Sequence, residues 1–72
     1  MTQTDKINHL AKAANNIRTA IQALDEVAKS DGTGKYDAAY YRDALREILS
    51  ADRGETGLDN LIKMLLEGKV VL

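Results

Sequence analysis

Seven apolar residues, Ile7, Leu10, Ala14, Ile17, Ile21, Leu24 and Ala28, recur at spacings that alternate between three and four. At 3.6 residues per turn an α-helix brings such positions onto one face, so the stretch reads as a single long helix with a stripe to cover. Ala11, Ala13, Ala20, Ala23 and Val27 widen that stripe beyond the narrow seam of a two-stranded coiled coil. A bundle helix with two neighbours fits the width better, and the alanines let a neighbour come close. Thr2 and Asp5 have the spacing of a capping box at the N-terminus. Lys29 and Gly32 close the other end, Gly32 as the left-handed residue beyond the last turn. These signals predict a first helix over 3–30.

The short chain Gly32-Thr33-Gly34 predicts a hinge, with the second helix returning antiparallel over 36–51 and capped by Thr33 or Asp37. At 100° per residue Tyr41, Ala44, Leu45, Ile48 and Leu49 share one face, so Tyr41 is expected at the centre of the inward side. Gly54 and Gly57 mark a loop, and Thr56 with Asp59 forms a second capping box that opens a third helix over 57–67. Leu58, Leu61, Ile62, Leu65 and Leu66 face inward there, Gly68 stops the helix, and the apolar tail 69–72 is expected to fold back over the bundle. With no proline and no strand-length alternation, the fold class is all-α: one domain, a small three-helix bundle.

Size then limits what such a bundle can do. A chain of 72 residues buries only about 60% of its unfolded surface, so it needs regular packing or a partner. It has no cysteine, hence neither a disulfide framework nor a thiolate zinc site, which fits a reducing cytoplasm. No apolar signal-like segment and no run of membrane-spanning length is present, so no membrane partner is expected. A net charge of −1, with neither half basic, argues against a dedicated nucleic-acid binder. The first helix, about 37–42 Å long at 1.5 Å per residue, is more than twice the length of the third. Its uncovered stripe predicts self-association, as a dimer.

Groups with chemical potential are few. His9, one turn after Asp5, offers at most two metal ligands where a zinc site needs three or four. Gly32-Thr33-Gly34-Lys35 lacks the four-residue spacing and the preceding strand of a phosphate-binding loop, and Tyr36 stands where the metal-binding hydroxyl belongs. A calcium-loop frame on Gly32 would begin at Val27 and end at Ala38, neither of them a calcium ligand. With one histidine, no cysteine and carboxylates on polar faces, no enzyme activity and no cofactor are expected.

Two surface sets remain. Tyr36 and Tyr40, one turn apart, share a flank of the second helix with Asp43 and Glu47, where they either form a protein interface or cover the end of the first helix or pack on the third. Lys35, Arg42, Arg46 and Arg53 form the alternative, a cationic band for a nucleic acid, a nucleotide or another phosphate-bearing ligand. A helix-turn-helix reading fails because the third helix offers only Asn60 and Lys63 among leucines. The expected function is a small cytoplasmic protein-interaction module: an adaptor, inhibitor or regulatory subunit of the kind that phage and mobile elements encode. It would act by binding a protein partner, with nucleic acid the weaker alternative.

Overall fold

A computed structural model describes residues 1–50 and 57–72. Three helices follow in order, α1 (Gln3–Ala28), α2 (Gly34–Leu49) and α3 (Leu58–Leu66), with no strand among the described residues. The chain is a small all-α bundle in which the long first helix packs mainly against the second. Arg42 of α2 reaches Asp25 of α1 across this contact. Because the hinge is short, α2 runs back along α1.

The ends of α1 follow from local chemistry. The Asp5 amide donates to the Thr2 hydroxyl and the Thr2 amide donates to the Asp5 carboxylate, each at 3.1 Å, which is the reciprocal box expected of that pair. At the other end the helix stops at Ala28 with Lys29 as cap, earlier than the spacing implied. Ser30 turns the chain by donating both its amide and its hydroxyl to the Val27 carbonyl. Gly32 does take a positive φ of 113°, but inside the turn and beyond the helix cap. Thr33 occupies the N-cap of α2 without a side-chain bond, and the helix begins at Gly34, ahead of the expected start.

Helix α3 opens on Gly57, so Asp59 stands at the second helical position and not at the third that a Thr56 box requires. Thr56, Gly54 and Arg53 lie outside the described residues. Its other end is the stop foreseen at Gly68. Lys69 donates its amide to the Met64 carbonyl at 2.9 Å and Gly68 donates to Leu65 at 3.2 Å, with Gly68 at φ 75°. That 6→1 plus 5→2 pair is a Schellman motif. Arg18 pairs with Asp59, and the Lys6 ammonium donates to the Leu72 main-chain oxygen at 2.6 Å. The chain from Asp59 to Leu72 therefore travels back along α1 from the level of Arg18 to that of Lys6. The tail does return to the bundle, but only Val70 is half-buried, while Val71 and Leu72 stay exposed.

The core is thin. Ala14, Ile21 and Leu49 form its buried centre, with Ile17, Leu45, Leu58 and Ile62 packed against them. Ala38 and Leu65 are the other buried apolar residues among those described. The molecule is correspondingly spread, with principal extents of 46 × 25 × 12 Å and a radius of gyration of 14.6 Å. A compact domain of 72 residues would have a radius near 11 Å. Its accessible surface of 5274 Å² likewise exceeds the roughly 4,400 Å² expected of a folded monomer of 7.9 kDa.

Gly57 and Gly34 should respond oppositely to alanine. Gly57 has φ 110°, and a Cβ there would stand 2.7 Å from the Leu49 carbonyl oxygen. Gly57→Ala should therefore cost about 1–3 kcal/mol and lower Tm by roughly 5–15 °C. Gly34 has open space around its missing Cβ and opens a helix. Gly34→Ala should stabilise by up to about 1 kcal/mol. Thermal unfolding followed by far-UV circular dichroism reads both signs.

Candidate functional site: the outer face of α2

The rotation of α2 about its own axis decides which residues can act. The inward line runs through Ala38, Arg42, Leu45 and Leu49, one helical turn apart. Tyr41 is 59% exposed and Ile48 54%, so the expectation that they face the core is corrected. The cause lies in the seam. Ala38 is buried one turn before Arg42, and Leu45 and Leu49 pack on the core, so the line that includes the Arg42–Asp25 pair faces α1 and turns Tyr41 and Ile48 aside.

Arg42 fills the place that the sequence assigned to Tyr41. Its Nη1 donates to Asp25 at 2.8 Å and its Nε to Asp43 at 3.0 Å, and its side chain is only 20% exposed. Lys29 reaches the other oxygen of Asp25, also at 2.8 Å. Lys29 first, then Arg42, hold the Asp25 carboxyl below the ordinary aspartate range. The paired carboxylates Asp43 and Asp25 raise the Arg42 guanidinium still further. This cross-helix pair is a clamp, and it removes Arg42 from any surface band of cations.

The rest of that band is similarly engaged. Arg46 lies 3.5 Å from Asp43, and the Lys35 ammonium sits 5.3 Å from the centroid of the Tyr36 ring, a cation–π contact. Arg53 is outside the described residues. Arg42 and Arg46 thus meet at one oxygen of Asp43, which occupies them, while Lys35 stands apart against Tyr36. His9 is exposed and Asp5 is occupied in the helix cap, which holds its carboxyl low chiefly through the Thr2 amide. No cluster of three possible metal ligands occurs among the described residues.

What the rotation does bring together is a strip facing away from α1. Tyr36, Tyr40, Ala44 and Ile48 succeed one another at every fourth position, with Tyr41 beside them. Tyr36 and Tyr40 are each 71% exposed. Tyr40 and Tyr41 meet edge to face, their centroids 5.5 Å apart at 78°. Asp37 and Glu47 are exposed along the same side, and neither takes part in an ion pair among the described residues. Toward the C-terminal end of α2, on the flank away from Ile48, Asp43, Arg46, Glu47 and Ser50 line a shallow depression of about 240 Å³. The sequence placed Tyr36, Tyr40, Asp43 and Glu47 on this flank, and all four are exposed; it did not place Tyr41, Ile48 or Asp37 there, and these are exposed as well. The pattern of Ala38, Arg42, Leu45 and Leu49 was the available signal, obscured by the arginine in it.

No family model matches this sequence, and neither curated proteins nor solved structures match it. No helix among the described residues is long and apolar enough to cross a membrane.

The low carboxyls make a pH prediction. Asp5, Asp25 and Glu67 are all lowered in the folded chain, Glu67 chiefly by its hydrogen bond with Lys69. A depressed carboxyl contributes its stability in full above the unfolded value and loses it as pH falls through the folded one. The urea midpoint should therefore drop as pH is lowered below about 4. Asp25→Asn should be less stable than the parent at neutral pH, and the gap should close as the medium becomes acid enough to protonate Asp25.

Proposed function

We propose that this chain is a protein-interaction module that acts by binding a protein partner through the outer face of α2, and that it self-associates. One observation carries the reading: all three aromatic residues of the chain are exposed on one side of one helix, in a molecule with a very small core. A fully buried aromatic is worth several kcal/mol to a fold that is short of apolar contacts. Tyr36, Tyr40 and Tyr41 leave most of that unused in the monomer. Tyrosine is also the residue that interface hot spots favour, since it carries a large rigid surface and a hydroxyl. Exposed ring and aliphatic area along the strip amounts to roughly 500 Å², the size at which surface patches on monomers tend to be functional.

Self-association is supported by the area balance. The accessible surface exceeds that of a compact monomer by roughly 850 Å², close to the ~800 Å² that each partner contributes to a standard interface. The role proposed is that of an adaptor, inhibitor or regulatory subunit, working by occupancy. Binding of nucleic acid has no comparable support, because Arg42 is clamped and Arg46 lies beside Asp43.

Tyr40 points farthest from the core, so Tyr40→Ala should leave Tm within about 3 °C of the parent while weakening partner capture at least tenfold. Capture from host lysate with mass-spectrometric readout compares the two. If Tyr36→Ala and Tyr40→Ala each unfold the chain instead, the rings serve the core and the proposal fails. Sedimentation at micromolar concentration should give a dimer, and a clean monomer would remove the self-association part. Salt adds a check, since a tyrosine-centred interface should survive a rise from about 50 to 200 mM that costs a phosphate-driven one several orders of magnitude.

A further inference from the structure

Resting on that reading, we infer that the occupant of the α2 outer face is a cationic amphipathic helix of another protein, carrying arginine or lysine beside its apolar stripe, and not a second copy of this chain. Two features of the face lead there. Its centre is the slanting i, i+4 ridge of Tyr36, Tyr40, Ala44 and Ile48 along a helix of 16 residues. An apolar ridge of that form pairs with the apolar stripe of another helix, and Ala44 in its middle lets the two axes approach.

The second feature is charge. Asp37 and Glu47 stand on this side of α2, both exposed and both without an ion pair among the described residues. They lie ten positions apart, about 15 Å along the axis. Pairing α2 with its own copy sets like charges level in either direction. A parallel pair puts Asp37 beside Asp37 and Glu47 beside Glu47, whereas an antiparallel pair centred on the strip puts Asp37 beside Glu47 twice. Like charges brought together across a partly desolvated contact oppose it. A cationic helix meets both carboxylates with opposite charge.

The local chemistry suits arginine in particular. Lys35 already rests against the Tyr36 ring, so a tyrosine of this strip accepts a cation on its face. The rings of Tyr40 and Tyr41 remain exposed for a guanidinium to do the same. The depression on the flank beside Tyr36 and Tyr40, lined by Asp43, Glu47, Ser50 and Arg46, offers the Glu47 carboxylate to an incoming fork of N–H donors, while Asp43 holds Arg46 aside. Self-association then uses surface elsewhere.

Three fluorescein-labelled helical peptides with one apolar stripe, and arginine, glutamine or glutamate at the flanking positions, test this by anisotropy against the full chain. At about 50 mM salt the arginine peptide should bind in the micromolar range, at least tenfold tighter than the glutamine one, and the glutamate peptide weakest. The paired substitution Asp37→Lys with Glu47→Lys should reverse that order, and Tyr40→Ala should weaken all three, with circular dichroism confirming that both variants remain folded. If arginine and glutamine peptides bind alike and Tyr40→Ala abolishes both, the face binds helices but the cationic partner is wrong. If the arginine peptide does not bind, or binds Tyr40→Ala unchanged, the inference is overturned. It is equally overturned if Tyr40→Ala converts a dimer to a monomer in sedimentation, because a second copy then covers the strip.

Discussion

The contact between α1 and α2 governs the rest of this molecule. It is built from small and branched side chains: Ala14 and Ile21 on one helix, Ala38, Leu45 and Leu49 on the other. Alanines let the two backbones approach, and that closeness sets which face of α2 can point inward. Arg42 enters the seam with its head on Asp25, as a long flexible stem allows, while Tyr41 stays exposed. A half-buried arginine with two carboxylates is tolerated where an unpaired one is not. The tyrosines are outside as a consequence of that choice, so the packing of the core and the exposure of the candidate site are one decision.

The rest of the chain attaches to this pair by single, specific devices. Gly57 turns the chain into α3 directly against the Leu49 carbonyl, a position only glycine can hold. Arg18 anchors the start of α3 to the middle of α1, and Lys6 holds the end of the tail. Between those points α3 covers part of the stripe that α1 carries toward its N-terminus, while Leu66, Val71 and Leu72 remain exposed. The result is a flat arrangement with a small core and much surface. Such a shape yields few enclosed volumes in which chemistry excludes water, and long open faces on which another helix can lie.

The electrostatics reinforce this division of labour. Asp25 with Arg42 and Lys29 ties the helices, and Asp5 with Thr2 closes the first turn. Asp37 and Glu47 belong to neither arrangement, and they accompany the tyrosines. Asp37 stands in the first turn of α2, where a carboxylate suits the helix dipole, and with Glu47 it makes the outer face of α2 acidic as well as apolar.

Read in order, the sequence by itself determined the elements. Periodicity along Ile7 to Ala28 specified α1, the Thr2 and Asp5 pair specified its start, and Gly68 specified the end of α3, since caps and periods act over a few neighbouring residues. The all-α class, the three helices and the hinge follow from such local chemistry. The exposed positions of Tyr36 and Tyr40 were legible because Asp43 and Glu47 share their flank. The rotation of α2 was not, because on its wheel Tyr41 and Ile48 are as apolar as Leu45 and Leu49. Only the tertiary contact separates them: the space left beside Ala38, and the Asp25 carboxylate waiting for Arg42 from 17 positions earlier in the chain. A helical wheel records hydrophobicity and angle, but the room across an interface and the charge on the facing helix belong to the partner element. That is why Tyr41 stands exposed and Arg42 is drawn into the seam.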